Sequence, residues 1–74
     1  MIIFTQHALL KLEQRRIKKS FVIRALNKPD YTVPVSNNNF YVFKKFRMLY
    51  LKIVCQKESK SIIVITQYWT NKLK

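Results

Sequence analysis

The chain's one histidine, His7, lies in the stretch FTQHALLKLEQRR, residues 4–16, which has the pattern of an amphipathic helix. Lys11 and Arg15 follow it at i+4 and i+8, so the three side chains share one face of that helix. The dipole at a helix N-terminus favours the neutral form of a histidine, and a neutral imidazole can act as a base. These residues therefore form either one wall of a proton-transfer site or a solvated basic face with an idle histidine.

The composition excludes several other kinds of chemistry. The chain has one histidine, one cysteine and three acids, and no Cys or His pair has metal-ligand spacing, so we expect no metal site. It has no glycine, which excludes a P-loop and a dinucleotide-binding fingerprint. A Ser–His–Asp triad would depend on a single histidine and a single aspartate, with no elbow motif. We therefore expect no cofactor.

Metal-free cleavage of RNA remains, because the ribose 2′-OH can attack its own phosphodiester. The protein must deprotonate that hydroxyl, stabilise the extra negative charge and protonate the leaving oxygen. Histidine suits the proton transfers, arginine and lysine suit the charged oxygens, and tyrosine can stack on a base or act as a weak acid. The sequence contains these residue types and lacks those that most other reactions need.

The charge indicates a polyanionic partner. Fifteen Lys and Arg residues stand against three acids, which gives a net charge of +12 on 74 residues. This favours RNA or the ribosome, through phosphate contacts and counterion release, and it also fits an acidic protein. A membrane surface is disfavoured because the cations are spread over several elements. With one cysteine, Cys55, and no signal peptide or membrane-spanning run, we expect a cytoplasmic protein.

The periodicity predicts a single domain, 1–74, that opens with two helices. Thr5 is a candidate N-cap for the first helix and Ser20 for the second. The second helix should end before Pro29, because the residue before a proline is disfavoured in helical conformation. Their apolar stripes are formed by Ala8, Leu9, Leu12, Val22, Ala25 and Leu26.

From Asp30 the hydrophobic period changes to two. YTVPVS is predicted to be an edge strand or irregular, because it contains a proline. SNNN is predicted to be a turn. The predicted strands that follow are FYVFKKF, MLYLKIVCQ and SIIVITQYW. Alternation places Leu51 and Lys52 on opposite faces, and Ile63 and Ile65 toward the core. The fold class is therefore α+β, with a helical hairpin on one face of a three- to four-stranded antiparallel sheet.

The other face of that sheet is the expected working surface, since it mixes tyrosine, lysine and threonine. Tyr50 and Lys52 are also what the exposed half of any alternating strand would show, and Tyr68 and Trp69 could equally cap the edge of the core. Cys55 is expected to pack as a small apolar residue. The candidate nucleic-acid-binding residues are Lys11, Lys45, Arg47, Tyr50 and Lys52.

Two stretches, FTQHALLKLEQRRIKKSFVIRALNKPD and IIVITQYW, resemble a family of short prokaryotic domains of unknown function. That family is grouped with the RelE/ParE-like toxin superfamily and with metal-free nucleases that include the colicin-type RNases. The resemblance covers nearly the whole chain. The motifs of the family are T-x-H-A near the start, an Arg-Gly-Ile sequence after the first helix and a last strand that closes in T-x-Y. The resemblance implies a RelE/ParE-like fold.

The resemblance implies that the catalytic residues are His7, Arg15, Thr66 and Tyr68. Arg16 departs from the pattern, because it stands where the family usually has glycine. If these positions form one site, His7 and Arg15 should lie on the side of the first helix that faces Thr66 and Tyr68.

Three functions follow as hypotheses. The first is a toxin-like, metal-independent endoribonuclease, neutralised by an acidic antitoxin protein. The second is a non-catalytic module that binds RNA or the ribosome, and the third is a ParE-like toxin acting on a protein such as a topoisomerase. For each we expect a monomer or a weak homodimer.

Overall fold

The computed structural model describes residues 1–73, and its two helices precede most of the sheet, as the change of period near Asp30 predicts. The α+β class is confirmed. In chain order the elements are β1 (Ile2–Phe4), α1 (Gln6–Gln14), α2 (Lys19–Asn27), β2 (Tyr31–Pro34), β3 (Asn39–Phe46), β4 (Leu49–Glu58) and β5 (Ser61–Thr70). Within these residues no helix has the length and apolar character needed to cross a bilayer.

The sheet is larger than predicted and is mixed, with five strands in the order β1-β5-β4-β3-β2. The prediction of three or four antiparallel strands was wrong at one edge, where β1 adds a fifth strand that is parallel to its neighbour. β1 pairs in parallel with β5, so that Ile2 lies opposite Ile62 and Phe4 opposite Val64. β2 pairs with β3 despite Pro34, because an edge strand tolerates a residue that cannot donate a hydrogen bond.

The first helix begins where the sequence predicts. The Thr5 hydroxyl accepts a hydrogen bond from the Ala8 N–H at 3.0 Å, as an N-cap should. The second N-cap prediction was wrong, because α2 is preceded by Lys18 without a side-chain cap and Ser20 lies inside the helix. Burial of Val22 along α2 follows the expected stripe.

α1 ends in a Schellman motif that lacks glycine. The Ile17 N–H donates to the Leu12 carbonyl at 2.9 Å, and the Arg16 N–H donates to the Glu13 carbonyl at 3.3 Å. Arg16 takes the left-handed conformation, with φ of 54°. This conformation costs a non-glycine residue about 1–2 kcal/mol. Burial of Ile17 and Leu12 against the core holds the turn in place.

One face of the sheet, the covered face, packs against the helices. α1 lies against β5 and β1, and α2 lies against β3 and β4. Leu51 and Ile53 of β4 are fully buried there, as the alternation of that strand predicts. The core cluster is Ala8, Leu12, Ile17, Val22, Ala25, Val42, Leu51, Ile53, Cys55 and Val64.

A bulge in β5 changes which of its residues face the helices. Thr66 pairs with Val54, but the next pair joins Cys55 to Val64, so Ile65 is an extra residue. Val64 is therefore the fully buried core residue. The prediction that Ile63 and Ile65 face the core was wrong, because the bulge shifts the alternation by one.

Candidate nucleic-acid interface

The face of the sheet opposite the helices, the open face, carries aromatic and basic side chains. The strand registers place Phe43, Lys52 and Tyr68 side by side across β3, β4 and β5. All four tyrosines of the chain share this face. Its central residues are Tyr31, Tyr41, Phe43, Lys45, Tyr50, Lys52, Val54, Thr66, Tyr68 and Thr70.

Lys52 lies at the centre of the open face and is only 7% exposed. Its Nζ is 4.0 Å from the ring centroid of Tyr41, 5.5 Å from that of Tyr68 and 5.7 Å from that of Phe43. A buried ammonium needs compensating interactions, and the negative faces of aromatic rings provide them. Lys52 thus places a positive charge at the middle of an aromatic surface.

Arg15 reaches the same cluster from the covered side of the molecule. β1 pairs only with residues 62–64, which leaves later carbonyls of β5 available at the edge of the sheet. The Arg15 Nη1 donates to the Gln67 carbonyl at 2.8 Å and to the Thr66 hydroxyl at 3.2 Å. Its guanidinium carbon lies 5.5 Å from the ring centroid of Tyr68. Arg15, at the C-terminal end of α1, therefore places a positive charge beside the open face.

Tyr68 consequently lies between two cations. The Arg15 guanidinium carbon and the Lys52 Nζ are each 5.5 Å from its ring centroid. Thr66 lies in the neighbouring row of the same strand and shares the Arg15 Nη1. Two positive charges, a hydroxyl and a phenol thus converge on one part of the surface, a combination that suits a phosphate group next to a stacked base.

His7 does not join this cluster. It is exposed on the first turn of α1, and within residues 1–73 no hydrogen bond or ring contact connects it to Arg15, Thr66 or Tyr68. The expected grouping of these four residues is therefore seen for three of them. Lys11 is also apart, since its Nζ donates to the Gln14 side chain at 3.0 Å.

The remaining candidates divide between two parts of the surface. Lys45 and Tyr50 are paired on the open face, with the Lys45 Nζ 5.9 Å from the Tyr50 ring centroid. Reduced solvation and the neighbouring Tyr31 raise the pKa of Tyr50. Arg47 does not lie with them, because it occupies the β3–β4 turn with φ of 59°, where strand alternation stops.

Arg47 instead lines an apolar groove of about 460 Å³ beside α2. In this groove Phe21 and Phe46 stack with their centroids 4.9 Å apart, and Trp69 meets both edge-on. Trp69 therefore packs at the border of the core, which was one of the two predictions for it. Tyr68, its neighbour in sequence, faces the opposite side.

Gln67 is the buried polar residue that links β5 to α1. Its Nε2 donates to the Ala8 carbonyl at 2.9 Å, and its Oε1 has no partner among the described residues. The side chain is fully buried. It fixes the part of β5 whose backbone carbonyl holds Arg15, so it positions the cluster without facing it.

Sequence reasoning missed Tyr31, Tyr41 and Phe43 as residues of the open face beside Lys52. The signal was present in the alternation of FYVFKKF, which puts Tyr41 and Phe43 on one face. The strand register was needed to place that face beside Lys52. Tyr31 belongs to a stretch that its proline allowed to be either an edge strand or irregular, and the structure shows the edge strand.

Comparisons with protein families, with curated proteins and with solved structures give no significant match to this chain. Within residues 1–73, no three His, Cys, Asp or Glu side chains are grouped as a metal site would require.

Proposed function

We propose that this protein binds single-stranded RNA on the open face of its sheet. The observation that carries the proposal is the position of Tyr68 between Arg15 and Lys52, each 5.5 Å from its ring centroid. In this arrangement a base stacks on an aromatic ring while the adjoining phosphate contacts the two cations. A net charge of +12 supports the association at long range.

The open face suits an unpaired strand better than a duplex. Its rings lie on a sheet, with Tyr31 and Tyr50 6.1 Å apart at one end and Tyr41 and Phe43 6.4 Å apart near the middle. Bases can stack on such rings once they are released from pairing. A helix inserted into a groove is the usual reader of duplex DNA, and here both helices pack on the covered face.

Metal-independent cleavage of RNA is the second candidate function, and the meeting of Arg15, Thr66 and Tyr68 favours it. In this reaction the 2′-hydroxyl gives up its proton to a base, its oxygen attacks phosphorus, the bond to the 5′-oxygen breaks, and that oxygen takes up a proton. Arg15 and Lys52 would stabilise the charge that develops on the phosphate oxygens. Tyr68 would supply or orient a proton. His7 lies outside the cluster and would serve as the general base or acid only for a phosphate bound beside α1.

This second candidate function is the one that the resemblance to RelE/ParE-like toxins implies. It includes the helical hairpin on the sheet, a cytoplasmic location and an acidic antitoxin protein that neutralises the basic surface. The support for a partner of that kind is the excess of cations over acids. A ParE-like action on a protein target would instead require binding to that protein without affinity for RNA.

Binding is tested by fluorescence anisotropy with a labelled single-stranded RNA, using Arg15→Lys and Arg24→Lys as a matched pair. Both arginines lie over aromatic rings, but the Arg24 rings, Phe21 and Phe46, belong to the covered face. Lysine cannot reproduce the planar guanidinium contacts. We expect Arg15→Lys to weaken binding about fivefold, the equivalent of about 1 kcal/mol, and Arg24→Lys to leave it unchanged. Equal losses would contradict the proposed position of the RNA.

Cleavage is tested by incubating wild-type protein with RNA in EDTA, beside His7→Ala and Tyr68→Phe. Cleavage that falls in Tyr68→Phe and persists in His7→Ala assigns the chemistry to the cluster. The reverse pattern assigns it to α1. Binding without cleavage of free or ribosome-bound RNA leaves the first proposal and removes the second.

A further inference from the structure

A polar pocket of about 440 Å³ lies at the end of the sheet where the β2–β3 loop meets β4. It is lined by Ser36, Asn37, Asn38, Asn39 and Gln56. Four carboxamides in so small a space supply several adjacent pairs of one donor and one acceptor. The proposed function does not use any of them.

The backbone of the loop is held by its own hydrogen bonds, which leaves the side chains available. The Asn39 carbonyl accepts from the Val35 and Ser36 N–H groups at 3.0 and 3.2 Å, and the Asn38 carbonyl accepts from the Lys57 N–H at 2.7 Å. Within residues 1–73 the four carboxamides make no hydrogen bond of their own. A ligand can therefore use them without breaking an existing contact.

The pocket belongs to the open face. Asn39 lies opposite Gln56 in the register of β3 and β4, and both are on the same side of their strands as Tyr41 and Lys52. Gln56 is four residues from Lys52 along β4, which corresponds to about 13 Å. An RNA strand whose phosphate lies beside Arg15 and Lys52 reaches the pocket within a few nucleotides.

We propose that this pocket binds an unstacked adenine base of the RNA strand that crosses the open face. Asn and Gln carboxamides pair with adenine through two hydrogen bonds, one to the exocyclic amine and one to a ring nitrogen. The lining residues, all within the described part of the chain, include no arginine or lysine for guanine and no carboxylate for cytosine. This inference rests on the proposed binding of RNA and adds a base preference to it.

The test uses four RNAs, an oligouridylate and three variants of it that carry a single adenine, cytosine or guanine at one internal position, with affinity measured by anisotropy. We expect the adenine-containing RNA to bind wild-type protein about tenfold more tightly than the others. Gln56→Leu should remove that ratio. Gln6→Leu is the matched control, since it makes the same substitution at an exposed position on α1, and should keep it.

A second pair of variants separates recognition from folding and charge. Gln56→Glu keeps the shape of the side chain but cannot donate a hydrogen bond to an adenine ring nitrogen, and Gln6→Glu adds the same charge elsewhere. The ratio of affinities for adenine and uridine should fall in the first and persist in the second. A solvated loop without a binding role would leave the ratio unchanged in both, and would overturn the inference.

The outcomes distinguish this inference from the function it rests on. Equal affinity of wild-type protein for all four RNAs, together with weakening by Arg15→Lys, retains RNA binding and overturns the adenine subsite. No measurable binding to any of the RNAs overturns both. A preference for adenine that survives Gln56→Leu places base recognition elsewhere and also contradicts the inference.

Discussion

The two faces of the sheet are built by the same strands from alternate residues, yet they have opposite properties. On β4, Leu51, Ile53 and Cys55 are fully buried under the helices, whereas Tyr50 and Lys52 belong to the open face. The buried core under the covered face consists of aliphatic side chains and Cys55, packed as a protein interior should be. The open face buries a lysine among aromatic rings. The difference is the basis of the proposal that the first set of residues stabilises the fold and the second set binds RNA.

Arg15 is the residue that connects the two faces. It is the C-cap residue of α1, a helix that packs on the covered face. Its guanidinium donates a hydrogen bond to the Gln67 carbonyl at the edge of β5 and lies over Tyr68 on the open face. β1 is short and pairs only with residues 62–64, which leaves free the edge of β5 that Arg15 contacts. The site therefore depends on a short edge strand.

The largest effect is expected from a cavity in the covered face. Leu51→Ala should lower the free energy of unfolding by about 2–5 kcal/mol, because the surrounding core cannot close over the lost atoms. Val54→Ala, on the half-buried open side of the same strand, should cost less than half as much. Urea denaturation measures both. Equal losses would mean that the open face contributes to the core as much as the covered face does.

Lys52→Met tests the contribution of the open face to RNA binding. The substitution should weaken RNA binding about tenfold and reduce the slope of log affinity against log salt by about 1, since one phosphate contact is lost. Stability should change by less than about 1 kcal/mol, because methionine fills the same space without a buried charge. Lys60→Met, at the exposed β4–β5 turn, is the control and should have a much smaller effect on affinity.

Arg16→Gly tests the turn that delivers Arg15 to the open face. Glycine takes the left-handed conformation without a Cβ penalty, so the free energy of unfolding should rise by about 1 kcal/mol. Arg24→Gly, inside α2, should lower it by about the same amount because glycine disfavours a helix interior. A loss of stability in Arg16→Gly would contradict the strain assigned to this turn.

The ionisation of Cys55 has the smallest expected effect on stability at neutral pH, and it tests whether water reaches the core under the covered face. Burial raises the pKa of its thiol from 9.0 to about 12. The unfolded chain ionises this thiol first, so its contribution to stability is complete below pH 9 and is lost between pH 9 and about 12. The free energy of unfolding should fall more steeply over this range in wild-type protein than in Cys55→Ala, in which the other alkaline groups still titrate. Parallel curves would show that water reaches the thiol.

The regular parts of the fold could be predicted from the sequence. The N-cap at Thr5 and the alternation of β4 depend on local chemistry, and both are confirmed. The partner of β1 could not be predicted, since it lies at the other end of the chain. The bulge at Ile65 depends on pairing between strands, and it reversed the prediction for Ile63.

In the candidate site, too, contacts between distant segments could not be predicted from local sequence. The meeting of Arg15 with Thr66 and Tyr68 was expected from a resemblance, and helical spacing alone did not require it. The same spacing grouped His7 with Arg15. Helical spacing shows which residues share a helix face, but it does not show which part of the sheet each of them contacts. The burial of Lys52 could not be read from the sequence, because it needs rings from β3 and β5 together.

The most direct test of the account uses the distribution of its aromatic residues. All four tyrosines lie on the open face, and the single tryptophan, Trp69, lies on the covered side. Ring signals of isotope-labelled tyrosine and the indole signal of Trp69 can be followed by NMR during titration with single-stranded RNA. We predict that the tyrosine signals shift with a common affinity and that the Trp69 signal stays in place. A shift of Trp69 with unchanged tyrosine signals would contradict binding on the open face.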